Sequence, residues 1–335
     1  TLALLLAAPL GADDFVVDEE GAIVRTAEPE AGSAAAWIAE IRRLLAEEKN
    51  AAAEYEARKF IKQYEKTREP RLAEAILLHG DANVARGRYY AALFDYERIA
   101  KEFNASEQFV PALEREYEIA LLFANGLKRR YLGFRVFSAE DEAAELLIRI
   151  QERLPSSQLA ERAGIALADY YYRKRMMRLA IDAYDLFLRN YPKSRERAKA
   201  MQRKIYSHIA TFKGPQFDAS GLENARLEIL DFKRAFPVEA REAGIDDSLV
   251  GWVNDSAADK LLETADWYLR QQDITSARYT LKRLLKRHPN TTAGRQALQL
   301  MIDRGWMPAP VQPGLEAGSA AAKAVGTETN EEASP

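Results

Sequence analysis

The sequence predicts an all-α protein: an α-solenoid of about six helical hairpins, two of which carry long insertions between their helices. Three observations favour this fold class. Amphipathic segments follow one another through most of the chain, and only 17 Gly and 13 Pro occur among 335 residues, too few for an all-β protein rich in turns. Four of the segments end at or near a proline: Pro155, Pro192, Pro237 and Pro289. Ahead of two of these prolines, small and apolar residues stand at identical offsets.

The two matching sets define a repeat. They are Ala180, Tyr184, Phe187 and Pro192, and Ala277, Leu281, Leu284 and Pro289. Self-similarity at a fixed period is typical of repeat architectures, in which each unit buries its apolar face only against its neighbours. Proline cannot continue a helix, and a Ser, Asn or Thr after it can cap the next one. The prolines therefore indicate where second helices end.

Counting back from these ends places six hairpins by the small residue of the second helix. These residues are Ala53, Ala92, Ala143, Ala180, Ala225 and Ala277. Successive positions lie 37 to 52 residues apart, whereas a tetratricopeptide repeat has a period of about 34 residues. The spacing therefore predicts a tetratricopeptide-like array with extra residues in every interval.

The second hairpin carries the clearest repeat pattern. Gly80, Gly87, Tyr89, Ala92 and Tyr96 occupy the positions at which tetratricopeptide repeats use Gly, Gly, Tyr, Ala and an aromatic residue. Small residues let the two helices approach closely, and a glycine in the short turn can adopt positive φ. We expect the two tyrosines to fill the groove beside that contact.

The other hairpins repeat the same pairing of small residues. Ala168 with Ala180 and Ala265 with Ala277 serve the fourth and sixth hairpins. The first hairpin lacks the glycine turn and is predicted from apolar spacing alone. Its core positions are Trp37, Ile41, Leu44, Ala53, Ala57 and Phe60.

Two insertions fall inside hairpins, at residues 125–137 and 211–221. Ser138 follows the first and can cap the helix that begins near Asp141. Loops of this length in a compact helical array are usually functional. The first also contains the basic run Lys128-Arg129-Arg130 among aromatic residues, a mixture that suits nucleic acid or a protein partner. The net charge of −3 favours the protein partner.

The ends of the chain differ from the array at 33–306. Residues 1–12 form a short apolar run that resembles the remnant of a secretory signal peptide. Residues 13–32 are acidic with Gly and Pro and are interpreted as a linker. Residues 307–335 hold too few large apolar side chains to repay ordering, which predicts a disordered tail.

The chain shows no constellation of catalytic or metal-binding residues. Cysteine is absent, which excludes disulfides and thiolate zinc sites within this sequence. The three histidines, His79, His208 and His288, fall in different repeats and are interpreted as packing or helix-end residues. No phosphate-binding glycine loop or nucleophile motif is present. We therefore expect a non-enzymatic protein with no cofactor, no metal, no small-molecule substrate and no nucleic-acid partner.

Residues 158–297 resemble the BamD (ComL-type) family of outer-membrane β-barrel assembly factors. The resemblance is carried by hairpins that end in aromatic-Pro-x-Ser/Thr and by the insertion that leads into Asn224-Ala225-Arg226. It implies a periplasmic scaffold at the inner face of the outer membrane. The implied partners are the barrel-forming subunit, bound through the C-terminal hairpin, other assembly subunits, and unfolded β-barrel proteins. The alternative is another exported tetratricopeptide adaptor for an envelope, division or pilus complex.

Two departures from that family concern attachment and docking. Family members are lipoproteins, whereas this chain has no cysteine to acylate. Where the family's last hairpin opens Asp-Arg-Leu-Ala, this chain has Asp255-Ser256-Ala257-Ala258, without the arginine linked to the partner contact.

Repeat geometry predicts which side chains bind protein, because the first helix of each hairpin lines the concave face. In the fourth and sixth hairpins the predicted residues mix aromatic, aliphatic and charged groups. They are Ile165, Asp169, Tyr172 and Arg173, and Leu262, Asp266, Leu269 and Arg270.

Overall fold

The structure, a computed structural model, describes residues 15–17, 23–25, 30–67, 69–126, 128–131, 134–138 and 140–308. Within these ranges the chain forms fourteen α-helices and two small antiparallel β-hairpins. The helices are α1 Ala34–Ala46, α2 Asn50–Tyr64, α3 Leu72–Ala85, α4 Tyr89–Glu102, α5 Phe109–Ala124, α6 Glu140–Arg153, α7 Gln158–Arg173, α8 Met177–Asn190, α9 Arg197–Ala210, α10 Ser220–Ala235, α11 Pro237–Glu242, α12 Asp247–Arg270, α13 Ile274–Arg287 and α14 Thr292–Asp303. The strands are β1 Phe15–Val17, β2 Ile23–Arg25, β3 Lys128–Tyr131 and β4 Phe134–Ser138.

The six predicted hairpins are confirmed. They are α1/α2, α3/α4, α5/α6, α7/α8, α9/α10 and α12/α13. The small residue that located each second helix is completely buried in every case. The alanines of the sequence pattern therefore lie in the buried core of the array.

The chain divides into two compact units, residues 1–194 and 195–335. In the first unit each helix from α1 to α8 packs against the next one along the chain. In addition, α1 packs against α3 and α5 packs against α7. First helices of neighbouring hairpins thus contact one another, as the stacking of helical repeats requires.

The second unit contains elements that the repeat pattern did not predict. Pro237 follows α10 but also occupies the first turn of α11, where its fixed φ suits a helix start. Helix α14 packs against both α12 and α13. The apolar cluster at this end of the unit consists of Ala258, Ala265, Leu281, Leu284, Ala293, Ala297 and Met301. Helix α14 therefore covers the last hairpin.

The close approach predicted for the second hairpin is present. Gly80 lies against the Tyr96 ring, so that a side chain at residue 80 would overlap the ring. Gly87 has a φ of +71° in the turn between α3 and α4, a conformation that favours glycine. Tyr96 is completely buried, whereas Tyr89 is partly buried and packs at the edge of the cluster.

The predicted caps are only partly right. The Ser157 hydroxyl accepts a hydrogen bond from the Ala160 N–H (3.0 Å), and the Thr291 hydroxyl accepts one from the Gly294 N–H (3.0 Å). After Pro192 the prediction was wrong: α9 begins at Arg197, and Glu196 is its N-cap residue. Ser138 is the last residue of β4, and the next helix begins at Glu140.

The insertions lie between helices of one hairpin, as predicted. The first contains β3 and β4, which pair antiparallel with an irregularity at Arg129 and Arg130. The second is shorter than expected, since Ser220 and Gly221 form the first turn of α10. The segment interpreted as an acidic linker contains β1 and β2. The predicted signal-peptide remnant and nearly all of the predicted tail lie outside the described residues.

None of the helices in the described part of the chain is long and apolar enough to cross a membrane.

Candidate protein-binding surfaces

Two of the predicted residues on α7 hold their own hairpin together. The Tyr184 hydroxyl, on α8, donates a hydrogen bond to the Asp169 carboxylate (2.7 Å). The Tyr172 ring packs edge-on against Tyr184, with ring centroids 6.4 Å apart. Of the other two, Ile165 is half-buried, and Arg173 is exposed at the end of the helix. Arg173 also donates a hydrogen bond to the Ala124 carbonyl oxygen on α5 (3.5 Å). Three of these four predicted residues therefore make contacts within the first unit.

The same aspartate–tyrosine pair occurs in the second hairpin. Tyr96 donates to Asp81 (2.8 Å), and Arg115 approaches the same carboxylate (3.1 Å). Burial, and then the Asp81 charge, raise the pKa of Tyr96 far above its ordinary value, so the phenol stays protonated. In both hairpins the tyrosine follows the aspartate by 15 residues. We call this contact the Asp–Tyr pin.

The sixth hairpin has the aspartate without the tyrosine. Asp266 occupies the position of Asp81 and Asp169, but the residue 15 positions later is Leu281, which is buried and has no hydroxyl group. Asp266 is half-buried and makes no hydrogen bond or ion pair with any residue in the described ranges. Its carboxylate is therefore available to a group from outside the hairpin.

Asp266 belongs to an acidic face of α12 flanked by tryptophans. The indoles of Trp252 and Trp267 are 46% and 49% exposed. Asp255 and Asp259 lie on the same side of the helix as Asp266, at spacings of four and seven residues. Burial, and then the neighbouring Asp255 charge, raise the pKa of Asp259. We call this surface the α12 face.

The remaining predicted residues of the sixth hairpin also lie on the α12 face. Leu262 and Leu269 are half-buried along one margin. Arg270 is exposed and forms an ion pair with Glu263 (3.2 Å). All four predicted residues are thus reachable from solvent on one side of one helix. The sequence did not single out Trp252 or Trp267 as exposed residues, because spacing alone does not reveal exposure.

The histidines do not converge on a site. His79 lies on α3, 2.8 Å from the Asp95 carboxylate, while His208 lies in the last turn of α9 and His288 caps α13. No group of three or more His, Cys, Asp or Glu residues in the described ranges is placed to hold a metal ion. The geometry of these residues is that of packing and helix-end positions.

Comparison with known proteins relates the C-terminal half of the chain to one family. Residues 138–305 match the family model YfiO, described as outer membrane lipoprotein. A comparison with curated proteins found no match. Among solved structures, the C-terminal part of a TPR repeat-containing protein from Cytophaga hutchinsonii aligns at 12% identity with a TM-score of 0.38. That alignment covers 80% of this chain and 89% of that one.

Proposed function

The chain belongs to the YfiO family of outer membrane lipoproteins, and on this premise we propose that it is a non-catalytic scaffold for outer-membrane protein assembly. In this proposal it works in the periplasm at the inner face of the outer membrane. Its sixth hairpin binds the barrel-forming assembly subunit, and its array receives other assembly subunits and unfolded β-barrel proteins. The family match begins at Ser138, so it includes the fourth, fifth and sixth hairpins.

The observation that carries this proposal is the α12 face. Exposed tryptophans are the residues that contribute most often and most strongly to protein–protein interfaces. Here two of them flank a carboxylate, Asp266, that no other part of the described chain uses. In the second and fourth hairpins the equivalent aspartate is bound to a tyrosine. A surface with exposed indoles and a carboxylate that makes no hydrogen bond within the described ranges is suited to binding a partner.

Charge indicates what the partner offers. Asp255, Asp259 and Asp266 give the α12 face a negative character that Arg270, already paired with Glu263, does not offset. We infer that the partner presents a basic patch with an apolar surface for the indoles. The family's arginine is replaced by Ser256 in this chain. This replacement is consistent with a negatively charged α12 face, because an arginine there would repel a basic partner.

The proposal is tested by affinity capture from detergent-solubilised envelope of the bacterium that makes the protein. We expect the native chain to recover a barrel-forming protein with periplasmic domains. The double variant Asp266→Ala with Arg270→Ala, combined with Trp267→Ala, should reduce recovery at least about tenfold, since buried interface anchors each contribute more than about 1 kcal/mol.

The matched control is Asp231→Ala with Arg234→Ala, which removes an exposed acid–base pair from α10. Its recovery should equal that of the native chain. Failure of the native chain to capture any barrel protein would refute the assembly function. Equal recovery by all variants would show that the α12 face is not the contact.

A further inference from the structure

A groove of about 750 Å³ runs along the other side of α12. It lies between the start of α10, the middle of α12 and the full length of α13, all within the second unit. Its volume is in the range of ligand-binding sites, which is roughly 300–1,000 Å³. Lys260 and Tyr268 line it from α12, on the side opposite Asp266. The groove and the α12 face are therefore separate surfaces of one helix.

Hydroxyl groups line the floor and one side of this groove. Those of Tyr268, Thr275 and Tyr279 make no hydrogen bond with any residue in the described part of the chain. Tyr279 is 70% exposed. A hydroxyl both donates and accepts, so a row of them matches the alternating N–H and C=O groups of an extended backbone. The groove thus offers what a peptide strand requires along its length.

The cations of the groove exceed its available carboxylates. Arg287 pairs with Glu223 (3.4 Å), whereas Lys260 and Arg283 form no ion pair within the described ranges. Asp218 accepts hydrogen bonds from the Ser220 N–H (3.0 Å) and hydroxyl (2.6 Å) at the start of α10. Both carboxylates are therefore committed to protein groups, and two cations remain for a bound ligand.

A buried histidine, His288, lies behind the wall of the groove but forms no hydrogen bond with Glu223. The His288 side chain is 5% exposed, and its Nε2 atom lies 4.0 Å from a Glu223 oxygen with no hydrogen-bond partner among the described residues. Burial lowers the pKa of His288, so the ring is neutral and adds no charge of its own. Glu223 faces this ring and Arg287. Its charged partner is Arg287 rather than Lys260 or Arg283.

We propose that this groove binds an extended acidic peptide segment of a partner protein. Two carboxylates of the segment pair with Lys260 and Arg283, and its main chain hydrogen-bonds to the hydroxyls of Tyr268, Thr275 and Tyr279. The apolar side chains of Ala257 and Leu261 also line the groove and accommodate methylene groups of the segment. The proposal rests on the proposed scaffold function for the source of the segment, and it adds a second contact of opposite charge to the α12 face.

A direct binding measurement on the purified full-length chain tests the groove. The probe is a fluorescein-labelled octapeptide of alternating Glu and Ser, followed by anisotropy. We expect saturable binding that Lys260→Glu with Arg283→Glu weakens at least tenfold. The matched control is Arg241→Glu with Arg278→Glu, which changes the net charge equally at exposed sites outside the groove. It should change the affinity less than twofold.

Several outcomes would overturn the proposal. These are no binding of the octapeptide, equal weakening by both double variants, or equal binding of an octapeptide of alternating Lys and Ser. Competition by inorganic phosphate or by phosphatidylglycerol vesicles at lower concentration than by unlabelled peptide would assign the groove to an anion or a lipid surface instead. Lys260→Gln with Arg283→Gln, checked by circular dichroism, replaces the reversal variant if the latter fails to fold.

The two proposals fail separately. Loss of peptide binding with barrel-protein capture intact would remove the groove as a site and leave the scaffold function standing. Peptide binding without any capture from the envelope would do the reverse.

Discussion

Glu116 is a carboxyl group enclosed in the core of the first unit. It is fully buried on α5, and only one of its oxygens meets a partner, the Arg153 guanidinium at 3.2 Å. Arg153 makes its shorter contacts with Glu97, at 2.7 and 2.8 Å. Burial outweighs the attraction of the arginine and raises the pKa of Glu116 to about 7. The first unit therefore contains an acid that titrates near neutral pH.

Replacing this acid should stabilise the protein in a pH-dependent way. A carboxyl whose pKa is raised on folding favours the folded state when protonated, so its contribution is lost as pH rises from about 4.5 to about 7. We expect Glu116→Gln to exceed the native chain in free energy of unfolding by about 3 kcal/mol at pH 8, but by less than about 1 kcal/mol at pH 5. Urea denaturation at both pH values measures this. Glu114→Gln, on the exposed side of α5, is the control, and a gain independent of pH would contradict the assignment.

The predicted binding residues illustrate what a sequence leaves open at this scale. Spacing placed all eight on first helices, which the structure confirms. It did not distinguish Asp169, bound to Tyr184, from Asp266, which has no such partner. The 15-residue interval between aspartate and tyrosine marks which aspartates are bonded inside their hairpin. That interval can be interpreted only once the contact between the two helices is known. The groove was missed for the same reason, since its lining comes from three helices.

At the scale of elements, the second insertion is fixed by its ends. The Thr211 hydroxyl donates to the His208 carbonyl (2.6 Å), and Gly221 packs on the same carbonyl group. A Cβ atom at residue 221 would overlap both Thr211 and this carbonyl. Glycine therefore lets α10 start directly against the end of α9. Both ends of the loop between α9 and α10 are therefore anchored by these contacts.

A methyl group at this position should be costly. We expect Gly221→Ala to lower the free energy of unfolding by about 2 kcal/mol, because a backbone carbonyl cannot move aside as a flexible side chain can. Gly251→Ala is the matched control within α12, where nothing lies within 4 Å of the added atom. It should instead raise stability by roughly 0.5–1 kcal/mol through helix propensity. Urea denaturation compares the two, and a gain in both variants would refute the close contact.

Elements were predictable where their signal is local. The six hairpins follow from small and aromatic residues spaced along single helices. The β3–β4 hairpin was treated as an insertion, although the aromatic and β-branched residues of Phe134-Arg-Val-Phe137 are a strand signal. Helix α14 belongs to no hairpin, and only its packing on α12 and α13 shows its place.

At the scale of the whole molecule, α14 closes the second unit. Ala293, Ala297 and Met301 of α14 belong to the same buried apolar cluster as Ala258 and Ala265 of α12 and Leu281 and Leu284 of α13, and Met301 is completely buried. Terminal repeats need such a cover because they have a neighbour on one side only. The stability of the sixth hairpin therefore depends on a helix outside the repeat pattern.

Loosening this cover should affect one unit. Met301→Ala should cost about 2–4 kcal/mol, as for other large-to-small core substitutions. Hydrogen exchange followed by mass spectrometry should accelerate across α12 to α14 and stay unchanged across α1 to α4, since repeat interactions are between nearest neighbours. Gln296→Ala, on the exposed side of α14, is the control. Acceleration spread evenly over both units would contradict a local effect of Met301 on the sixth hairpin and α14.

The Asp–Tyr pin has a further consequence for comparing relatives of this protein. The residue 15 positions after the aspartate decides whether that carboxylate is consumed inside its hairpin or remains exposed to partners. A relative with tyrosine at the position of Leu281 would close its last hairpin in the manner of the second and fourth, and would lose the carboxylate that Asp266 offers here. Among relatives, the presence of Leu or Tyr at this one buried position would therefore distinguish a last hairpin whose aspartate binds a partner from one whose aspartate only stabilises the hairpin.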